Sequence, residues 1–213
     1  LKTGAFFFFI FQKSVVKTLT ELQPVAENVF LLSGDGHPKI CSNVYVLEGP
    51  DSLALIDSGV DAARLQTALQ AFGKPLEAIF FTHGHFDHVS AAIKAQIPGR
   101  MAAADLDVIH ELNAAWVKIQ KPDFFKPFEN DAITFAGFDL HIISTPGHTP
   151  GSVSFWDEKN GILYSGDCKF AQGGVGRTDF WGGNADDLET SLEAIDALPY
   201  RLLAPGHGPV EEK

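Results

Sequence analysis

Basic residues, cysteine and long apolar runs are all scarce in this chain. The 16 lysines and arginines stand against 27 aspartates and glutamates, a formal charge of −11. That balance argues against nucleic acid as the main partner, because phosphate binding needs a clustered positive surface. It argues equally against a polybasic membrane anchor. Two cysteines, Cys41 and Cys168, cannot build a disulfide scaffold and allow at most one bridge. Such sparse usage fits a reducing compartment, so a cytoplasmic location is expected. No stretch approaches the ~20 apolar residues of a membrane-spanning helix.

The densest apolar run, residues 5–11, holds five of the 18 phenylalanines. With Lys2 ahead of it, it resembles the start of a signal peptide, but it is short and no small-x-small cleavage site follows in residues 12–15. A strand packed in the core or at a subunit interface is the expectation, and a homo-oligomer stays open. Composition is otherwise ordinary: 45% hydrophobic and 20% charged, too apolar for a disordered chain. At 213 residues the chain is one large domain or at most two small ones. A chain of that size buries about 70% of its unfolded surface and needs no metal merely to fold.

Strand and helix patterns alternate. Residues 29–32, 43–47 and 53–57 read as short strands between Gly, Pro and Asp punctuation. Residues 61–72 read as a helix, with Leu65, Leu69 and Phe72 on one face and Gly73 and Pro75 as its stop. Residues 78–81 form an apolar strand, followed by the polar segment 82–88 and a short helix to Gln96. Residues 105–116 predict a further helix, and 132–135 and 138–143 predict strands. Residues 152–156 and 162–165 pair as a hairpin around Asn160-Gly161. Residues 186–198 predict an amphipathic helix with Leu188, Leu192 and Ile195 inward, and 202–204 a last strand. Interleaving of this kind favours sheets covered by helices.

The chemistry concentrates in His83-Gly84-His85-Phe86-Asp87-His88, which packs three of the eight histidines and a carboxylate into six residues. It directly follows an apolar strand, where ligand sites of α/β folds lie. Adjacent imidazoles repel one another when protonated, so such a cluster is favourable when the rings stay neutral and bind a cation. His148, Asp167 and His207 each sit among glycines after a predicted strand, in Pro146-Gly147-His148, Ser165-Gly166-Asp167 and Pro205-Gly206-His207. Alone, each would be an ordinary turn residue; beside the six-residue cluster, all become ligand candidates. Five histidines and two aspartates fill two metal sites if one carboxylate bridges. Nitrogen and oxygen donors of this kind suit Zn²⁺ well, and iron or manganese less exclusively. His37, His110 and His141 lack such settings and read as structural. Cys168 reads as strand-end packing, with a soft ligand or nucleophile as the alternative.

Together these residues resemble the metallo-β-lactamase fold superfamily, marked by His-x-His-x-Asp-His and a distant His, Asp and His. The likeness runs from Leu55-Ile56-Asp57-Ser58-Gly59 to His207. It implies an α/β fold, a four-layer αββα sandwich with a two-metal site at one edge. It implies that His83, His85 and His148 bind one metal, that Asp87, His88 and His207 bind the second, and that Asp167 bridges. Asp87 and Asp167 are then the carboxylates of the catalytic centre, and Asp57 supports the ligand histidines from behind. The stretch Gly173-Gly174-Val175-Gly176-Arg177-Thr178-Asp179-Phe180 resembles the glyoxalase II (hydroxyacylglutathione hydrolase) branch, and a similar stretch marks persulfide dioxygenases. In both, a basic residue at the Arg177 position helps hold a glutathione-type substrate; a salt bridge to Asp179 or a helix cap is the alternative here. Full-length glyoxalase II adds a C-terminal helical domain, whereas residues 1–213 are expected to form one metallo-β-lactamase-fold domain without it.

The activity so implied is a metal-dependent hydrolase that uses a metal-bound hydroxide on a small-molecule thioester or ester, a hydroxyacyl-glutathione being the type. A mononuclear-iron persulfide dioxygenase using His83, His148 and Asp167, a lactonase or a β-lactamase-like hydrolase are the alternatives. A nuclease reading conflicts with the acidic charge. A structural zinc site conflicts with a donor set that lacks cysteine.

Overall fold

The computed structural model describes residues 21–37 and 39–213. The phenylalanine-rich run at 5–11 lies outside the described residues. Among the described residues, thirteen strands form two mixed sheets. The first has seven strands in sequence order: β1 Leu22–Ala26, β2 Val29–Leu32, β3 Val44–Glu48, β4 Leu53–Ile56, β5 Leu76–Phe80, β6 Gly99–Met101 and β7 Phe125–Pro127. The second runs in the order β13 Glu211–Glu212, β12 Leu202–Pro205, β11 Ile162–Gly166, β10 Val153–Asp157, β9 Phe138–Ser144 and β8 Ala132–Phe135.

The sequence of β3 and β4 explains the layering. Side chains alternate faces along a strand. Val44, Val46, Leu53 and Leu55 face one way and pack against Leu65 and Ala68 of helix α1 (Ala62–Gln70) and Val89, Ala91 and Ala92 of helix α2 (Phe86–Ala95). Tyr45, Leu47, Ala54 and Ile56 face the other way and meet Leu140, Phe155, Ile162 and Tyr164 of the second sheet. The outer face of that sheet, through Trp156, Leu163 and Leu203, packs on Leu188 and Ile195 of the last helix, Ala185–Asp196. The order helix, sheet, sheet, helix is the expected four-layer sandwich, and strands buried on both faces read as unbroken apolar runs.

Helix boundaries have local causes. The Asp61 carboxylate accepts from the backbone N–H groups of Ala63 and Arg64, each at 3.0 Å, and caps α1. Asn184 caps the last helix in the same way. Gln96 ends α2 in the left-handed conformation, at φ 55°. The single helix expected at 105–116 is instead two short ones, α3 Ala103–Leu106 and α4 Ile109–Asn113, which makes the last helix α5. Val108, at φ −120° and ψ 18°, breaks the run. The side chain of Asp105 turns inward, as described below. Strands β1, β6, β7 and β13 have no counterpart in the sequence-based expectation. No helix among the described residues is long and apolar enough to cross a membrane. Both cysteines are buried and free, and Cys168 packs with Trp156 and Leu163 rather than facing a ligand cluster.

Phe155 is fully buried between the two sheets. Phe155→Ala should destabilise the protein by about 4 kcal/mol in urea unfolding, the usual cost of emptying an aromatic site in a core. A loss below about 1 kcal/mol would contradict this packing.

Candidate metal centre

Strand direction brings the candidate ligands to one rim. In the first sheet β4 and β5 are parallel, so Asp57 and the segment 82–88 leave at the same end. In the second sheet β9 and β11 are both antiparallel to β10, and β12 is parallel to β11. Strands β9, β11 and β12 therefore share a direction, and their carboxyl ends deliver His148, Asp167 and His207 side by side. Asp87 and His88 lie in the first turn of α2, with His85 as its N-cap.

The seven side chains meet. His83 Nε2 and His148 Nε2 lie 3.1 and 2.9 Å from His85 Nδ1. His207 Nε2 lies 3.1 Å from Asp87 Oδ2, and His88 Nε2 lies 3.7 Å from it. Asp167 stands between these groups. Its Oδ2 is 3.5 Å from His148 Nε2 and 3.4 Å from His207 Nε2, and its Oδ1 is 3.3 Å from His88 Nε2. Among the described residues three sets could each hold a metal ion: His83, His85 and His148; His83, His88 and Asp167; and Asp87, His88 and His207. Within each set the donor atoms lie within 4.8 Å of one another. All seven are buried except His207, which is half-buried.

The donors fit a cation. The Nε2 atoms of His85 and His88 and the Oδ1 of Asp167 are buried and make no hydrogen bond among the described residues. Unpaired atoms of that kind are costly unless an ion answers them. Burial, with the His88 charge next, holds the His83 imidazole well below its usual pKa. Burial and His148 bring His85 down to about 3. Both rings are thus kept neutral, the form that binds metal. Burial opposes charge on His88, but Asp57, Asp167 and Asp87 outweigh it and raise its pKa well above the ordinary value. Burial likewise opposes charge on His207, while hydrogen bonds to Asp167 and Asp87 lift it to about 9. Asp167 is held well below the carboxylate range because His88 and His207 outweigh its burial. A bound cation would take over the compensation these protons provide.

A network behind the donors fixes their rings. Asp57 Oδ2 accepts from His88 Nδ1 at 2.8 Å and from the Thr82 hydroxyl at 2.9 Å. The Thr82 proton being committed, its Oγ1 accepts from His83 Nδ1, 3.1 Å away. Asp57 therefore orients two rings, one directly and one through Thr82, with both Nε2 atoms inward. Asp57 itself adopts φ 61°, a left-handed conformation unusual for a residue with a Cβ, and is locked there by accepting from Thr82 N at 2.9 Å. His148 Nδ1 donates to the Arg177 carbonyl at 2.7 Å. Gly206 is required by proximity, because a Cβ there would fall 2.2 Å from Asp167 Oδ1.

Sequence reasoning missed Asp105. Its carboxylate is fully buried and accepts from Gly84 N at 2.7 Å, Thr149 Oγ1 at 2.7 Å and Gly151 N at 2.6 Å. Gly84 lies between two candidate ligands and Thr149 follows a third, so Asp105 ties their loops together. Asn113 adds a bond from its Nδ2 to the Gly84 carbonyl at 2.9 Å. Nothing in the run Ala102-Ala103-Ala104-Asp105 signals this inward turn.

A cavity of about 330 Å³ opens over the cluster. Besides five of the candidate ligands it is lined by Ile40, Phe86, Trp116, Phe170, Phe180 and Arg177. Phe170, Arg177 and Phe180 bring one segment, 170–180, to its wall. Trp181 does not reach it: it stands exposed away from the lining, and Trp116 from the loop after α4 takes that place. The Arg177 guanidinium pairs with both oxygens of Asp179, at 2.8 and 2.5 Å, and lies 4.4 Å over the Phe180 ring. That is the salt bridge the sequence offered as the alternative to substrate binding.

The family model for the metallo-beta-lactamase superfamily matches residues 41–207, which hold all seven candidate ligands. The chain belongs to that superfamily. Among curated relatives, a probable metallo-hydrolase of Bacillus subtilis is 34% identical, over 80% of this chain and 86% of its own. A hydroxyacylglutathione hydrolase of Haemophilus influenzae is 29% identical, over 85% and 91%. A persulfide dioxygenase of Bos taurus is 33% identical, over 80% and 65%. Among solved structures, the B3 metallo-beta-lactamase BLEG-1 superposes with a TM-score of 0.70 at 32% identity, over 80% and 88%. A protein in a di-iron-bound form, TTHA1623, superposes with a TM-score of 0.67 at 31% identity, over 80% and 89%. The chain is thus a metallo-hydrolase-family protein whose His and Asp cluster suits divalent metal, and the superfamily's relatives span several activities.

Asp105→Ala should lower stability by about 3 kcal/mol, since it strands two buried N–H groups and a hydroxyl. In calorimetry that is a fall in Tm on the order of 10 °C. It should also weaken metal uptake, measured by dialysis against a chelator. An unchanged Tm would remove Asp105 as the tie between the two loops.

Proposed function

We propose that this protein is a binuclear metal-dependent hydrolase that cleaves a small-molecule thioester. His83, His85 and His148 hold one divalent ion, Asp87, His88 and His207 a second, and Asp167 is shared between them. Zinc is the first candidate, and a donor set of imidazoles and carboxylates also accepts iron or manganese. Bound there, the metals supply Lewis acidity and a water whose pKa is lowered toward neutral.

The observation that carries the thioester reading is the make-up of the cavity. Apart from the candidate ligands it offers apolar side chains and one arginine, which is closed on Asp179. An amine or alkoxide leaving group needs a proton from a placed acid. A thiol, with a pKa near ~8.5, leaves as thiolate without one. The chain's own residues then orient and enclose. Asp57 and Thr82 keep the His83 and His88 rings aimed inward, the Arg177 carbonyl does the same for His148, and Phe86, Trp116 and Phe180 keep bulk water off the reacting carbonyl. The hydroxyacylglutathione hydrolase relative supports the same reaction class.

Metal analysis of purified protein should find two ions per chain, and Asp167→Asn should weaken both together, because a neutral amide bridges cations poorly. One iron per chain, with oxygen uptake on glutathione persulfide, would replace this reading by the dioxygenase one. Arg177 is the proposed contact for an anionic substrate arm, reached by opening its pair with Asp179. Arg177→Ala should then raise KM for an anionic thioester more than it lowers kcat, and change little for a neutral one. Equal losses on both, with a lower Tm, would assign Arg177 to structure alone.

A further inference from the structure

The aromatic wall of the cavity points to the kind of substrate it accepts. Trp116 is 40% exposed and Ile40 65% exposed, and both line the cavity. Large apolar side chains are seldom left open to water together without a partner. Trp116 and Phe180 stand at right angles with centroids 4.7 Å apart, and the Phe86 ring lies 5.8 Å from Trp116 at a tilt of 42°. The His85 ring is perpendicular to both Trp116 and Phe180, at 5.4 and 6.1 Å. The aromatic surface therefore begins at a candidate metal ligand and runs outward from the reacting centre. Among the described lining residues outside the ligand cluster, the one polar side chain is Arg177, whose guanidinium is paired with Asp179 and stacked on Phe180. A small polar acyl group would leave the aromatic surface wet and find only the paired Arg177 as a hydrogen-bonding side chain beyond the cluster.

We infer that the substrate carries an aromatic or comparably bulky apolar group on an arm beside the scissile carbonyl, packed against Trp116, Phe180 and Phe86. This rests on the thioester reading above and names its substrate class. The apolar arm belongs either to the acyl group or to the thiol, and the two share one recognition chemistry. A ring buried against three aromatic side chains gains several methylene equivalents of transfer energy. That is enough for a preference of about tenfold or more in kcat/KM.

The test uses metal-loaded full-length chain and two substrate pairs. Acetyl and phenylacetyl thioesters of one small thiol report on the acyl arm, and acetyl thioesters of a small thiol and of benzyl mercaptan report on the thiol arm. One pair should show a preference of about tenfold or more for the aromatic member, with the gain mainly in KM. In Trp116→Ala and Phe180→Ala the preference should collapse toward unity. Taking the ratio on one preparation cancels any change in metal loading. If these side chains serve only to brace His85, both members of each pair should fall equally and the ratio should persist, which overturns the inference. Hydrolysis that favours a hydroxyacyl thioester over the aromatic ones overturns it as well. Calorimetric titration of acetate and phenylacetate separates this from the reaction class. Tighter phenylacetate binding that is lost in Trp116→Ala, with no thioester cleaved, would keep the aromatic arm and discard the thioester reading. Equal binding of the two acids, with no preference in either pair, would discard the aromatic arm.

Discussion

Five imidazoles and two carboxylates at one rim of a sandwich can share that space only around positive charge. Their donor atoms lie closer together than neutral side chains of this type need to be, and several are buried without a hydrogen bond. Much of the surrounding architecture reads as support for that cluster. Asp57 holds a left-handed backbone that an aspartate tolerates at a cost on the order of 1 kcal/mol, and through it two ring orientations are set. Gly206 gives up a side chain so that Asp167 can sit against the backbone. Asp105 is buried with three donors on its carboxyl group, and its effect is to hold two ligand loops in register.

The topology makes such a cluster inexpensive to assemble. Each sheet contains a parallel pair, β4 with β5 and β11 with β12, whose carboxyl ends point to the same rim. A ligand on the first residues past each strand then needs no long excursion. The backbone groups of these segments are bonded to neighbouring ones: Asn43 N donates to the Gly206 carbonyl at 2.7 Å, and Ser58 N to the His88 carbonyl at 2.8 Å. The apolar layers and the polar rim are thus separate tasks for the sequence. Alternating faces of β3, β4, β10 and β11 build the layers, and the residues just after the strands build the site.

That separation explains what could be read from the amino acids alone. The six-residue histidine cluster is local, so its chemistry shows in one glance at the sequence, and the glycines around His148, Asp167 and His207 mark close approach. The αββα order follows from strand and helix patterns long enough to show a period. Strands of two or three residues, such as β6 and β13, have none. Asp105 and Trp116 belong to a stretch whose apolar spacing suggests one helix. What breaks it is a set of bonds to Gly84, Thr149 and Gly151, 21 to 46 positions away. No local pattern records such contacts. Trp181 sits beside Phe180 in sequence, yet only Phe180 reaches the cavity, because neighbouring residues in an irregular loop need not share a side.

A metal centre of this kind serves more than one reaction, as the hydrolase and dioxygenase names among the relatives attest. Discrimination between substrates must therefore come from what surrounds the cluster rather than from the cluster. In this chain the surroundings are dominated by ring faces. Their attraction is non-directional and scales with area, so they select for bulk and against charge without demanding one shape. Arg177, proposed as the contact for an anionic arm, would add the opposite preference, since its partner Asp179 is exposed and a substrate anion would compete for the same guanidinium. Which of the two terms governs depends on desolvation. On the proposed reading an arm packed against Trp116 and Phe180 would shed much of its hydration, whereas an anion at the exposed Arg177 would keep most of its own and be screened by salt. On the proposed reading the aromatic wall would therefore be the stronger selector, with the arginine acting on whatever arm extends past it.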